Sequence, residues 1–185
     1  EVLSDEQIIA IETHRLGPFN DHLSAESVVF DLMIHDIDVI TAITGSTPTN
    51  TSAYGTAARS SEVDHAVAMF EFDNGILGTA TASHVTHGKV RRMDVTTENA
   101  YISLDYQQQD IVVQRRGVEQ TEPLLNQSGY RTETVTESPH IRTREPLKNE
   151  LEHFLTCVRD RTAPEVGAED GVRAVQIAED VITRL

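Results

Sequence analysis

The stretch Asp31-Leu-Met-Ile-His35-Asp36-Ile-Asp38 places ionisable groups inside an otherwise apolar segment. An α-helix advances about 100° per residue, so Asp31, His35 and Asp38 would form one narrow polar stripe. The rest of the circumference is apolar, which predicts a helix buried nearly all round. Its apolar members are Val28, Val29, Phe30, Leu32, Met33, Ile34, Ile37, Val39, Ile40 and Ile43. Carboxylates are costly in such surroundings, so we infer that the stripe has a function.

The pairing of Asp31 with His35, one helical turn later, is typical of an acid/base pair. A carboxylate can accept a hydrogen bond from one ring nitrogen and leave the other free to take a proton from a substrate. Two other interpretations stay open: a buried histidine with a structural partner, or a shared divalent ion. A metal would need further ligands, and no histidine cluster has a recognised spacing; the candidates are His14, His65, His84 and His87.

The composition indicates one acidic domain in a reducing compartment. Thirty acidic residues against fifteen basic ones give a net charge of −15, which repels nucleic acid. The lone Cys157 excludes an internal disulfide and a cysteine-based metal site, and the apolar segments are too short to span a membrane. We therefore predict a cytoplasmic protein with no nucleic-acid or membrane partner. The charge is either that of an ordinary soluble protein or, as we prefer, an adaptation to a salty cytoplasm.

The order of predicted elements indicates an α+β fold. A first strand ends at Gly17-Pro18, the buried helix ends at Gly45, and short strands follow, two of them joined by the turn Asp73-Asn74-Gly75. We predict strands at 7–16, 50–58, 65–73, 76–85, 91–97, 100–105 and 110–116, a long loop at 117–144 with one more strand near 133–136, and helices from Pro146 and at about 168–185. Short connections between successive strands predict antiparallel pairing in a meander.

The expected architecture is a large, mostly antiparallel, open-faced sheet with three helices packed on one face. The last helix would bury Val172, Val175, Ile177 or Ala178, Val181 and Ile182. Several strands carry apolar residues on both sides, so we predict that the second face contacts another copy of the chain, in a homo-oligomer.

These features together resemble the C-terminal domain of the Gfo/Idh/MocA oxidoreductases. The segments that carry the resemblance are His14-Arg15-Leu16-Gly17-Pro18, Asp31 to Asp38, Phe70-Glu71-Phe72-Asp73-Asn74-Gly75, Glu145 to Phe154, and Asp170-Gly171 before the last helix. In that family a Rossmann domain precedes this one. The chain has no Gly-x-Gly-x-x-Gly and no Glu-Lys-Pro motif, so residues 1–185 would be a single substrate and oligomerisation domain. By itself it should be inactive.

The resemblance also implies roles for individual residues. His35 would take the proton from a sugar hydroxyl while NAD or NADP, bound mainly by the missing N-terminal domain, accepts hydride; Asp31 would orient the imidazole. No metal site and no cofactor-binding residue of this chain is implied. Asp38 would order the local structure, and the expected substrate-binding residues are His14, Arg15, Lys89 and Arg91.

The substrate class follows from the same resemblance. The run Lys89 to Thr97, continued by Leu104-Asp105-Tyr106, looks like the branch of the family that oxidises position 3 of UDP-N-acetylglucosamine. A nucleotide sugar brings a diphosphate, which Arg or Lys side chains can pair with. The alternatives are a dehydrogenase for inositol or another polyol or hexose, and a non-catalytic sugar-binding or assembly module.

Overall fold

A computed structural model of the chain describes residue 3 and residues 6–20, 27–117, 134–141 and 145–185. The elements confirm the predicted α+β class, with strands and helices near the predicted positions. In chain order they are β1 (Ile8–Leu16), a π-helical turn (Val29–Met33), α1 (Ile34–Thr44), β2 (Pro48–Thr56), β3 (His65–Phe72), β4 (Leu77–Ser83), β5 (Val90–Thr97), β6 (Ala100–Asp105), β7 (Asp110–Arg116), β8 (Thr134–Glu137), α2 (Pro146–Asp160) and α3 (Ala168–Arg184). Most of the predicted loop at 117–144 lies outside the described residues.

The described strands form one sheet in the order β2-β3-β4-β1-β5-β6-β7-β8. Every neighbouring pair is antiparallel except β1 and β4, which run parallel. The prediction of a simple meander is therefore wrong at one point, because β1 lies between β4 and β5. The six residues 84–89 can pass over one strand: extended they reach about 20 Å, and two strand spacings amount to about 10 Å.

Small residues on the inner face of the sheet let α1 pack closely. Ala66, Ala68, Ala80 and Ala82 are buried in β3 and β4. At Gly78 an added Cβ would lie 3.3 Å from the Ile40 side chain of α1. The large side chains of the core come from the first helical segment and from strands across the sheet, and they include Ile11, Met33, Ile37, Ile40 and Phe70. Gly45 ends α1 in the left-handed conformation, at φ 66°.

The helices are less completely buried than we predict from the sequence. Along the first helix Phe30 is 42% exposed and His35 is exposed as well, so the segment is open on one side. α3 buries Ala174, Ile177, Ala178 and Val181, as expected of one face, but Val172 and Val175 remain exposed. A helix of 3.6 residues per turn that packs against α1 and β2 turns its other side outward.

α2 does not cover the sheet. The helix begins as predicted, with Pro146 in its first turn and the Glu145 side chain accepting a hydrogen bond from the backbone N–H of Lys148. Its apolar residues, however, remain 53–64% exposed in the described structure; they are Leu147, Leu151, Phe154, Leu155 and Val158. Of the three helices, only α1 and α3 pack along the inner face.

The outer face of the sheet carries exposed apolar side chains. Tyr54 of β2, Met69 of β3 and Leu77 of β4 are 75%, 55% and 53% exposed. Since successive side chains of a strand point to opposite faces, these residues lie on the side away from α1 and α3. No helix in the described part of the chain is long and apolar enough to cross a membrane.

Candidate active site

Asp31 lies in the middle of the π-helical turn that precedes α1. The backbone N–H of Ile34 donates to the carbonyl of Val29, five residues back, where an α-helix would bond four residues back. Residues in a π-helical turn are separated by a smaller angle than in an α-helix, so the angles calculated for a regular α-helix do not apply to this segment. π-helical turns are rare and are frequently found at functional sites.

The partner of Asp31 is His84, which directly follows β4. Nε2 of His84 lies 2.7 Å from Oδ2 of Asp31, and the His84 side chain is only 6% exposed against 25% for Asp31. The imidazole of His35 makes no hydrogen bond to Asp31 or to any other residue that the structure describes. In place of the predicted Asp31–His35 hydrogen bond, Asp31 on the π-helical turn contacts His84 at the end of β4. His35 remains exposed to solvent.

The loop before β3 holds both halves of this pair through backbone hydrogen bonds. The backbone N–H of His84 donates to the carbonyl of Asp64 at 2.8 Å, and that of Val28 donates to the carbonyl of Val63 at 2.9 Å. The buried Asp64 carboxylate accepts hydrogen bonds from the backbone N–H groups of residues 58–60 at 2.6–3.1 Å. Burial opposes ionisation, but these N–H groups outweigh it and lower the pKa of Asp64.

Arg15 forms an ion pair with Asp36, a residue for which the sequence predicts no role. Nε and Nη2 of Arg15 donate to the two carboxylate oxygens of Asp36 at 2.9 and 2.7 Å. The Asp36 side chain is 3% exposed and that of Arg15 is 19% exposed. Such bidentate pairs are strong and geometrically specific. The charge of Arg15 is therefore already neutralised within the fold, although we predict this residue to bind substrate.

Arg91 lies beside this pair without a carboxylate of its own. Its Nη1 donates to the backbone carbonyls of Leu16 and Val90, and it forms no ion pair with any residue in the described ranges. Partial burial lowers the pKa of Arg91, the positive charge of Arg15 lowers it further, and the negative charges of Asp36 and Asp31 oppose the shift. The guanidinium is held in place and its charge is not cancelled by a direct partner.

Tyr106 completes a polar cluster, which consists of Arg15, Asp31, Asp36, His84, Arg91 and Tyr106. Its hydroxyl lies 3.7 Å from the sulfur of Met93, and its backbone N–H donates to the carbonyl of Arg91. Burial raises the pKa of Tyr106, and the negative charge of Asp36 raises it further. The hydroxyl therefore stays protonated at neutral pH.

Comparison with known proteins places the chain in a family of oxidoreductases. The sequence profile of a family described as "Oxidoreductase family, C-terminal alpha/beta domain" matches residues 20–183. The chain belongs to this family. It is 32% identical over 148 residues to UDP-N-acetylglucosamine 3-dehydrogenase from Acidithiobacillus ferrooxidans, a match that covers 80% of this chain and 45% of that protein.

Solved structures agree with this family assignment. The structure of the Acidithiobacillus ferrooxidans enzyme superposes on 100% of this chain and 56% of its own, with a TM-score of 0.87 and 27% identity. Levoglucosan dehydrogenase in complex with NADH and L-sorbose shares the fold at a TM-score of 0.74 and 13% identity, over 96% of this chain and 56% of its own. The chain thus spans about half the length of the relatives that it matches.

The oxidoreductase domain brings together only part of the predicted set of site residues. Asp31, Arg15 and Arg91 lie in one cluster. His14 alternates with Arg15 along β1 and therefore lies on the opposite face of the sheet. The exposed Lys89 precedes β5, and in the described structure the Asp38 carboxylate makes no hydrogen bond, although its backbone carbonyl accepts one from Thr41. No three metal-ligating side chains gather among the described residues.

Three residues of the cluster were not predicted to belong to it. Asp36 stands inside the quoted motif, and its position beside His35 was the available signal. The sequence marks His84 only as a possible metal ligand, and His84 lies 53 residues from Asp31, so no local pattern connects the two. For Tyr106 the sequence offers only its place in the segment Leu104-Asp105-Tyr106.

Proposed function

We propose that this chain is the substrate half of an NAD(P)-dependent dehydrogenase that oxidises a sugar hydroxyl. The observation that carries the proposal is the Asp31 carboxylate, fixed on a π-helical turn and one turn before the exposed imidazole of His35. The name of the relative from Acidithiobacillus ferrooxidans supports a nucleotide sugar as substrate, and UDP-N-acetylglucosamine is the first candidate.

The oxidation removes a hydride from carbon and a proton from the hydroxyl oxygen of the same group. His35 would accept the proton on an exposed ring nitrogen, and the carboxylate of Asp31, one turn earlier in the sequence, would stabilise the charged ring. NAD or NADP, when bound, accepts the hydride. The residues of this chain therefore accept the proton and position the substrate, and they do not take part in the hydride transfer itself.

The sequence of this chain offers no recognised binding motif for a dinucleotide. The sequence contains no glycine-rich Gly-x-Gly-x-x-Gly turn, and the polar cluster holds groups that handle a proton or an anion next to the substrate. We place the cofactor on a Rossmann domain outside residues 1–185. The exposed apolar face of α2 supports a contact with such a domain, because large apolar patches are rarely left uncovered.

A diphosphate would find one suitable cation in the cluster. The charge of Arg15 is neutralised by Asp36, whereas Arg91 is held by backbone carbonyls and has no carboxylate partner in the described part of the chain. We assign Arg91 to the substrate's diphosphate, with the exposed Lys89 as a second contact. An inositol, polyol or hexose substrate would not need this charge.

The test uses the protein as its gene encodes it, with NAD or NADP and a panel of nucleotide sugars, inositol and free hexoses. We expect reduction of the cofactor with a nucleotide sugar, and a loss of about 10²- to 10⁴-fold in kcat on His35→Ala. His87→Ala is the matched control, because His87 is an exposed histidine outside the cluster. Full activity of His35→Ala would refute the assigned proton acceptor. Sugar binding without turnover by the wild-type protein would favour a non-catalytic module.

Substrate class is tested by Arg91→Met in the same assay. For a nucleotide sugar we expect KM to rise at least tenfold, since a charge-assisted contact to a diphosphate contributes about 1.5–3 kcal/mol. An unchanged KM, together with turnover of inositol, would instead assign the chain to the polyol dehydrogenases. Mass spectrometry of the oxidised product would identify the substrate independently.

We also propose that the outer face of the sheet joins two copies of the chain in the cytoplasm. The exposed Tyr54, Met69 and Leu77 would form the apolar centre of that interface. Met69→Asp should shift the sedimentation profile towards monomer, whereas Val166→Asp, a similarly exposed apolar position before α3, should not. An unaltered profile for Met69→Asp would contradict the assignment.

A further inference from the structure

We propose that His84 is a positioning residue of this site, which fixes the Asp31 carboxylate from the sheet side. The inference rests on the proposed function and extends it to a residue outside the sequence motif. Asp31 stands on a helical turn with a non-standard hydrogen bond, so its side-chain direction is not set by a regular helix. The 2.7 Å contact from His84 Nε2 to Asp31 Oδ2 supplies that direction.

Burial separates the role of His84 from that of His35. The His84 side chain is 6% exposed, so it has little surface for a substrate to touch. Asp31 is 25% exposed, and its second oxygen, Oδ1, takes no hydrogen bond from any described residue. An ionised carboxylate only accepts hydrogen bonds, so Nε2 of His84 carries the proton in this contact. One oxygen of Asp31 is thereby occupied and the other is left for His35 or substrate.

Backbone hydrogen bonds hold His84 itself in place. Its backbone N–H donates to the carbonyl of Asp64, whose carboxylate accepts from the N–H groups of residues 58–60. The neighbouring carbonyl of Val63 accepts from Val28, just before the π-helical turn. The same loop therefore sets the distance between His84 and Asp31 from both sides, which is what a preorganised catalytic group requires.

The first experiment compares His84→Leu with His84→Gln in the gene-encoded protein. The Gln side chain can place an N–H donor near the position of Nε2, whereas Leu cannot donate. We expect kcat to fall about 10²-fold in His84→Leu with KM nearly unchanged, and to recover to within about tenfold of wild type in His84→Gln. His87→Leu, an exposed histidine of the same connection, should behave as wild type. Equal losses in the Leu and Gln variants would overturn the proposal.

The pH dependence of kcat distinguishes positioning from proton transfer. If His84 acts only through Asp31, His84→Gln keeps the ionisation that limits wild-type kcat at low pH. Disappearance of that ionisation would make His84 the proton acceptor and overturn its role as a positioning residue.

A second readout needs no turnover and separates the two proposals. Proton–nitrogen correlation spectra of the wild-type protein should show a slowly exchanging His84 proton on Nε2, which Asp31→Ala removes. Absence of that proton in wild type would overturn the Asp31–His84 contact, even in an active enzyme. Presence of the proton in a protein that oxidises no sugar would support the contact and refute only the proposed function.

Discussion

Removing Arg15 from the Arg15–Asp36 pair should lower the free energy of unfolding much more than removing Asp36. In Arg15→Ala, the Asp36 carboxylate loses both of its hydrogen bonds while it remains 3% exposed. Removing one partner from a buried ion pair costs about 3–5 kcal/mol, because the remaining charge stays uncompensated. In a domain of this size that corresponds to a fall in Tm of about 6–20 °C.

The reverse change should cost less. In Asp36→Ala the remaining Arg15 is already 19% exposed, and its long side chain can carry the guanidinium to water. The double variant should be more stable than Arg15→Ala alone, since it leaves no buried charge. Arg15→Ala should be the most destabilised variant, and the double variant and Asp36→Ala should be less so. The coupling energy between positions 15 and 36 should be at least 1 kcal/mol.

Urea unfolding of the four proteins, followed by circular dichroism, measures this cycle directly. The control is Arg92→Ala on the outer face of the sheet. Arg92 also bonds both oxygens of an aspartate, Asp94, but that carboxylate keeps a hydrogen bond from Ser103 when Arg92 is lost. We expect Arg92→Ala to cost less than Arg15→Ala. Additive effects of the two changes in the cycle would refute the reasoning.

Two further predictions concern charge elsewhere in the chain. Asp64→Ala should lower the free energy of unfolding at pH 7 by about 2 kcal/mol, because the carboxylate accepts hydrogen bonds from three backbone N–H groups. As the folded pKa of Asp64 lies below its ordinary value, the wild-type contribution is complete at neutral pH, begins to fall below about pH 4 and is lost only as the pH passes below the folded pKa. The difference in unfolding free energy between wild type and Asp64→Ala should therefore be smaller at pH 3 than at pH 7 in urea titrations, whereas exposed Glu62→Ala should show no such pH dependence; an equal difference at both pH values would contradict this account. With a net charge of −15, the wild-type Tm should rise in molar KCl, and an equal Tm in dilute buffer would remove salt adaptation as the explanation of the charge.

The fold was predictable where it depends on local patterns. The turn Asp73-Asn74-Gly75, the helix stop at Gly45 and the helix start at Pro146 each follow from the conformational preferences of those residues. The position of β1 between β4 and β5 was not predictable in this way. Strand order depends on which strands pair although they are far apart in the sequence. Parallel and antiparallel neighbours both bond through backbone N–H and C=O groups, so the side chains do not show which neighbour a strand will have.

The polar cluster was predictable in part of its membership but not in its pairings. The motif from Asp31 to Asp38 stands on the segment that Arg15 and Arg91 lie next to. The calculated alignment of Asp31 with His35 assumed a regular α-helix, and the π-helical turn invalidates that assumption. His14 was grouped with Arg15 because the two are adjacent in sequence, although in a strand adjacency places them on opposite faces.

The amino-acid sequence alone determined the class of fold, the acidic surface and the helix on which the ionisable groups stand. These properties depend on composition and on periodicities of two or 3.6 residues, which are local. Only the tertiary structure decided that Asp31 bonds His84, that Asp36 neutralises Arg15 and that Arg91 has no direct ion-pair partner in the described part of the chain. Hydrogen bonds between residues 21 and 53 positions apart are set by how helix and sheet pack, and no local pattern encodes that distance.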